Sequence, residues 1–265
     1  MYSTFQLAKK YLRYYLTASN GQGHGIHSPF VFDFITQVLT DKKTYNCYRE
    51  IEAIRKQLKQ NNTVIEVEDF GAGSGKIKSN QRVVKAIASS SLKQPKYAQL
   101  LFRMVQYYKP KLVLELGTSL GVTTAYLANG NVAANVYTCE GATQIAAIAQ
   151  HHFNDLSIKN ISIITGDFAT TLTSLLQTTG TIDFAFIDGN HRKEPTLQYF
   201  QQLLEHSDNN TILVFDDIHW SAGMEEAWAA IQHHPAVTLT IDLFFIGIVC
   251  LNKDIKASQH FVIKY

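Results

Sequence analysis

The chain has 265 residues, 46% of them hydrophobic and 17% charged, with a formal net charge of +2. This is enough apolar material for one large α/β domain, with or without an appendage, and it excludes an intrinsically disordered chain. The small net charge conceals an asymmetry: residues 1–114 hold 18 Lys+Arg and 7 Asp+Glu, residues 115–265 hold 6 and 15, and residues 70–114 contain nine basic residues and no acid.

The first part reads mostly as helices. Phe5–Leu16 is aromatic-rich at helical spacing, and Ser28-Pro29 suits an N-cap and first helical position for a helix through about Leu39. Tyr48–Lys59 sets Ile51, Ile54 and Leu58 on one face, and Pro95 opens a helix ending near Tyr108. From Lys111 short β-rich runs alternate with helical segments. The expected strands are Leu112–Leu116, Asn135–Glu140, Ile161–Thr165, Asp183–Asp188, Thr211–Phe215, Val237–Leu243 and Phe245–Leu251. The expected helices are Val122–Asn129, Gln144–Phe153, Thr170–Gln177, Pro195–His206 and Gly223–His233. This alternation predicts an α/β fold: a doubly wound, seven-stranded, mostly parallel sheet, the last two strands forming an antiparallel hairpin at its edge. The expected division is a helical N-terminal appendage or lid, 1–94, and a Rossmann-like domain, 95–265. In such sheets ligands bind beyond the carboxyl ends of the strands.

The N-terminus lacks the apolar core and cleavage site of a signal peptide. The longest apolar run, Leu243–Leu251, is too short to span a bilayer as a helix. Cys47, Cys139 and Cys250 are far apart and odd in number, which argues against a disulfide framework or a CxxC zinc site. A cytoplasmic protein without a membrane partner is expected.

Two glycine loops compete for a nucleoside. Asp69-Phe70-Gly71-Ala72-Gly73-Ser74-Gly75 has the better spelling. Glu115-Leu116-Gly117-Thr118-Ser119-Leu120-Gly121 has the better context, because a nucleoside site needs an acid at the end of the next strand to take the ribose hydroxyls. Glu140 stands there, whereas no acid and no strand-like run follows Gly75 before Leu112. Glu115 would sit poorly beside a pyrophosphate and suits a cationic ligand such as the ammonium of a methionyl group.

These residues resemble class I S-adenosylmethionine (SAM) dependent methyltransferases. The resemblance covers 95–252 and rests on LELGTSLGVTT (114–124), YTCEGA (137–142), ITGDF (164–168), FAFIDGNH (184–191) and LVFDDIHW (213–220), each at an expected strand end. The sub-family is similar to catechol and caffeoyl-CoA O-methyltransferases, with Ala98-Gln99 where these usually carry Gly-Gln. The resemblance implies that Glu115 and the Gly117–Gly121 backbone, including Thr118, hold the methionine part of SAM, with Ser119 and Thr123 near its carboxylate. It further implies that Glu140, followed by Gly141, takes the ribose and that Asp167 and Phe168 flank the adenine; Asp167 also reads as a helix N-cap.

Asp188, Asp216 and Asp217 end two strands expected to be neighbours. Converging carboxylates repel unless a cation or protons intervene, and hard oxygen donors suit Mg²⁺, Mn²⁺ or Ca²⁺. The relatives carry a Lys three residues after the first Asp as the base that takes the hydroxyl proton. Here His191 holds that position, and an imidazole can do the same work. Asp188 and His191 are thus the expected catalytic pair, and His219 is a further candidate ligand or base. His24 and His27 read as loop and helix-cap residues. The implied function is methyl transfer from SAM to a hydroxyl of a small molecule. The basic first part suits an anionic acceptor or complementarity with the acidic strand ends. Methylation of a nucleic acid and a non-catalytic SAM-binding protein are the alternatives, and a homodimer is compatible with the chain.

Overall fold

The structure is a computed structural model that describes residues 1–19, 21–23, 27–69 and 78–265. In chain order the elements are α1 (Thr4–Thr17), α2 (Pro29–Asp33), α3 (Asn46–Leu58), β1 (Val64–Asp69), β2 (Lys78–Val83), α4 (Val84–Ser91), α5 (Pro95–Tyr108), β3 (Leu112–Leu116), α6 (Val122–Gly130), β4 (Asn135–Glu140), α7 (Thr143–Asp155), β5 (Ile161–Thr165) and α8 (Phe168–Thr178). They continue with β6 (Ile182–Ile187), α9 (Lys193–Glu205), β7 (Ser207–Asp216), α10 (Ala222–Gln232), β8 (Leu239–Asp242), β9 (Ile246–Cys250) and β10 (Gln259–Val262). The expected α/β class with mostly parallel strands is observed. The chain divides into two compact units, 42–178 and 1–41 with 179–265. Residues 1–41 and 42–94 thus belong to different units.

In the 42–178 unit, β3, β4 and β5 run parallel, with Glu115 opposite Thr138 and Glu140 opposite Thr165. The strands are apolar and β-branched, as buried parallel strands must be. Ile51, Leu58, Phe102, Tyr126 and Phe153 belong to one core cluster. Full burial of an apolar side chain of this size contributes about 1.5–3 kcal/mol. The antiparallel hairpin β1–β2, paired from Val64↔Val83 to Asp69↔Lys78, was not expected. A strand therefore precedes Gly71–Gly75 and another follows it, the second contrary to the sequence reading. The pairing is antiparallel, however, so it is not the parallel strand–loop–helix unit that cradles a nucleoside. Gly71–Gly75 itself lies outside the described residues.

In the other unit β6 and β7 are parallel, β9 is antiparallel to both β7 and β8, and β10 is parallel to β8. The β8–β9 hairpin is observed, but β10 lies outside it, so β8 is not the edge. α1 starts with a capping box: the Gln6 amide donates to Ser3 Oγ (3.3 Å) and the Ser3 amide to Gln6 Oε1 (2.9 Å). Pro29 opens α2 as expected. Ser28 makes no capping hydrogen bond with its side chain, and the helix continues as a π-helical stretch, Phe34–Leu39.

Candidate functional site

Glu115, the penultimate residue of β3, is fully buried. Its Oε2 accepts hydrogen bonds from the Thr124 hydroxyl in the first turn of α6 and from the Thr138 hydroxyl on β4 (2.7 Å). Thr118 and Thr138 hydroxyls are 2.6 Å apart, so a chain of hydroxyls joins the acid to the glycine loop. A buried carboxylate persists only with such donors, because desolvation penalises its charge.

Gly117 (φ 104°) and Gly121 (φ 80°) turn the loop into α6, with Gly121 as N-cap. Space as well as dihedral angle requires glycine at 121. A Cβ there would lie 2.8 Å from the Phe153 ring and 2.9 Å from Ala149 Cβ. Glu140, at the end of β4, clamps the loop from the other side. The Ser119 amide donates to its Oε2 (2.8 Å) and the Ala142 amide to its Oε1 (3.0 Å). Burial raises the Glu140 pKa, opposed by the amides of Ala142, Ser119 and Gly141. Each carboxylate oxygen has lone pairs for further donors, so this group can still receive a diol.

Ser119 (φ 48°) places its hydroxyl 2.8 Å from that of Ser91, and Thr123 is buried in the first turn of α6. Asp167 is exposed and accepts from the Ala169 amide (3.1 Å), so it caps α8, which begins at Phe168. Glu115, Gly117, Thr118, Ser119, Gly121, Glu140 and Gly141 therefore lie around the carboxyl ends of β3 and β4, and Asp167 and Phe168 just after that of β5. Sequence reasoning missed Thr124 and Thr138. A threonine aligned opposite the acid on the next strand was the available signal.

In the other unit Asp188 follows β6 and Asp216 ends β7, 1% exposed. One ligand atom each of Asp188, His191 and Asp216 lie within 4.8 Å of one another, and His191 Nε2 is 3.4 Å from Asp188 Oδ1. The loop is held in an unusual shape: Asn190 (φ 68°) and His191 (φ 23°) both have positive φ. Asn190 Nδ2 donates to the Tyr199 hydroxyl (3.2 Å) and Arg192 Nε to Asn190 Oδ1 (2.8 Å), which anchors this turn to α9. Two carboxylates and an imidazole so close form a donor set fit for a divalent cation.

Asp217 does not join this cluster. Successive strand residues point to opposite faces, and Asp217 leaves the strand at φ 53° with its amide bonded to the Phe245 carbonyl (2.7 Å). His219 is not a free ligand or base either. Its Nδ1 is 3.0 Å from Glu225 Oε1 and its Nε2 2.8 Å from Asp242 Oδ2. Burial pushes its pKa down, but Asp242 and Glu225 outweigh burial and the pKa is raised, so the two carboxylates favour a ring that clamps them as imidazolium. Sequence reasoning missed both partners, which are distant or one turn onward in the chain. His24 lies outside the described residues.

Residues 114–218 match the family model of a methyltransferase domain. Among curated relatives, a protein-L-isoaspartate O-methyltransferase of Koribacter versatilis is 38% identical over 77 residues, 29% of this chain and 34% of that protein. A catechol O-methyltransferase of Niastella koreensis is 33% identical over 137 residues, 49% of this chain and 58% of that protein. The chain thus spans about a third and somewhat over half of the length of these two relatives. An O-methyltransferase from Bacillus cereus, solved in complex with SAH, superimposes with a TM-score of 0.57 at 19% identity, covering 80% of this chain and 93% of that one. At such identity the likeness speaks for the fold.

Proposed function

We propose that residues 114–218, which match the family model of a methyltransferase domain, form a class I SAM-dependent methyltransferase domain, and that the protein transfers the methyl group of SAM to a hydroxyl oxygen of a small, anionic acceptor. The observation that carries this reading is the approach of Asp188, His191 and Asp216 to within 4.8 Å at the ends of two strands. SAM, when bound, supplies an electrophilic sulfonium methyl. This chain's part is to bind, orient and deprotonate.

In this reading Glu115 and the Gly117–Gly121 loop, with Thr118, Ser119 and Thr123, hold the methionine end. Glu140 and Gly141 hold the ribose, and Asp167 and Phe168 border the adenine. His191 accepts the acceptor's hydroxyl proton, and Asp188 orients the imidazole and stabilises the imidazolium that results. Asp188 and Asp216 would be the oxygen donors for a divalent ion such as Mg²⁺ or Mn²⁺. Such an ion would lower the pKa of a hydroxyl that it binds. A cytoplasmic location is consistent with three unpaired cysteines.

The test is methyl transfer from labelled SAM to catechols, phenolic acids and hydroxy acids, with and without Mg²⁺ or Mn²⁺, beside calorimetric SAM binding. O-methylated product from the wild type, and none from His191→Ala with SAM affinity intact, is the expected result. SAM binding with no transfer to any hydroxyl acceptor would overturn the reading. Full turnover by His191→Ala would remove the histidine from it.

A further inference from the structure

Helix α1 has two faces of different character. The inner face is fastened to its own unit. Tyr11 and Tyr14 pack on Phe244 with ring centroids 5.1 and 5.3 Å apart. The Tyr14 hydroxyl donates to the Ile263 carbonyl, Lys10 Nζ lies 2.9 Å from both Glu225 oxygens, and the Tyr2 hydroxyl donates to Glu225 Oε2 (2.7 Å). The outer face carries Phe5, Leu12 and Leu16, which are 80%, 58% and 71% exposed, with exposed Tyr15 alongside. The spacing of 5, 12 and 16 puts these three side chains on one line of the helix.

Single exposed apolar residues are ordinary, but a line of them on a fixed helix is not. The charges around the line narrow the choice of partner. Lys9 and Arg13 are exposed beside it, and Lys264 reaches over the Tyr15 ring at 4.9 Å. Residues 1–32 contain no Asp or Glu. A partner must therefore accept buried phenyl and isobutyl groups and present negative charge around them.

A second copy of this chain fits poorly. Antiparallel self-pairing about a two-fold axis would set Lys9 and Arg13 against their own copies, with no acid on the helix to offset them. A polyanion such as RNA would satisfy the cations but not cover Phe5, Leu12 and Leu16. We propose that α1 docks the protein in the plane of an anionic lipid surface, Phe5, Leu12 and Leu16 entering the acyl boundary and Lys9, Arg13 and Lys264 meeting the headgroups. This is the chemistry of interfacial helices with an apolar line and basic flanks. It requires no spanning segment, and among the described residues no helix is long and apolar enough to cross a membrane. It is independent of the methyl-transfer reading.

The test is sedimentation of the full chain with phosphatidylcholine vesicles and with vesicles that also contain phosphatidylglycerol. Binding to the anionic vesicles only, weakened by salt, is expected. Lys9→Glu with Arg13→Glu should weaken it by about fivefold or more for each cation lost. Phe5→Ser with Leu12→Ser should weaken it by at least about tenfold. Both sites are exposed, so the thermal midpoint of each variant should match wild type, which separates lost docking from lost folding. Equal binding to neutral vesicles, no binding to either, or binding indifferent to both variants would overturn the proposal. So would a concentration-dependent dimer that fails to bind vesicles and is dispersed by the Leu12 change; that result would give this face to a second copy.

Discussion

The two units use carboxylates in opposite ways. In the 42–178 unit Glu115 and Glu140 accept hydrogen bonds from two hydroxyls and from two loop amides, respectively. Their negative charge is spent on fixing the glycine loop, so they act as a frame that is in place before any ligand arrives. In the other unit Asp188 and Asp216 crowd an imidazole within 4.8 Å. Charges arranged in that way are sensitive to a proton or a cation, which is what a reacting centre needs and a frame does not. The proposed function gives binding to one set and chemistry to the other, and mutations should separate them.

The largest expected effect is on chemistry alone. Asp188→Asn, which deprives the His191 base of the carboxylate that orients it, should lower turnover by up to about 10²–10⁴-fold, the usual worth of the positioned base it serves, while calorimetric SAM affinity stays at the wild-type value. A parallel loss of SAM affinity would break the division. Next is Gly121→Val, which should do the reverse. Its Cβ would meet Phe153 and Ala149 below 3.0 Å at φ 80°. A left-handed backbone costs roughly 1–2 kcal/mol and overpacking about 1–3 more. Denaturant unfolding should register that sum, and SAM binding should be lost. Smaller again is Thr138→Val, which removes one of two hydroxyl donors to the fully buried Glu115. Hydrogen bonds to charged groups contribute about 1.5–3 kcal/mol, and stability should fall within that range with SAM affinity weakened but measurable.

What was legible in the sequence follows the same physics. β3, β4, β6, β7 and β9 are apolar or β-branched runs, and acids stand at or just after the ends of the first four, so strands and site residues could be read together. β2 is KSNQRV and β10 is QHFV, short strands with no apolar run to mark them, and both were missed. They exist through pairing with partners that no local window contains. The acid cluster was half legible. Two adjacent aspartates at the end of β7 looked equivalent, but strand alternation and the positive φ of Asp217 leave only Asp216 in the cluster. The place of His191 was visible through its spacing from Asp188. The partners of His219 were not, because Asp242 lies on β8, 23 residues away.

That hidden partnership yields the smallest predicted effect. His219 bridges Asp242 and Glu225, and Glu225 also receives Lys10 and Tyr2 from the N-terminal segment. The His219 pKa lies above its ordinary 6.5, because Asp242 and Glu225 overcome burial. Its contribution to stability is therefore complete below about pH 6.5 and is lost as pH rises through the raised value. For Glu225 burial raises the pKa, but Tyr2, Lys10 and His219 hold it below 4.5, so its contribution is present above that pH and is lost as pH falls through the lowered value. The network should be fully formed between about pH 4.5 and 6.5. Thermal melting followed from pH 6 to 9 should show wild type losing a few degrees more than His219→Gln, which has no imidazolium to lose. Equal slopes in the two proteins would show that the ring is neutral in the fold, and would leave α1 held by its aromatic face and by the bonds of Lys10, Tyr2 and Tyr14.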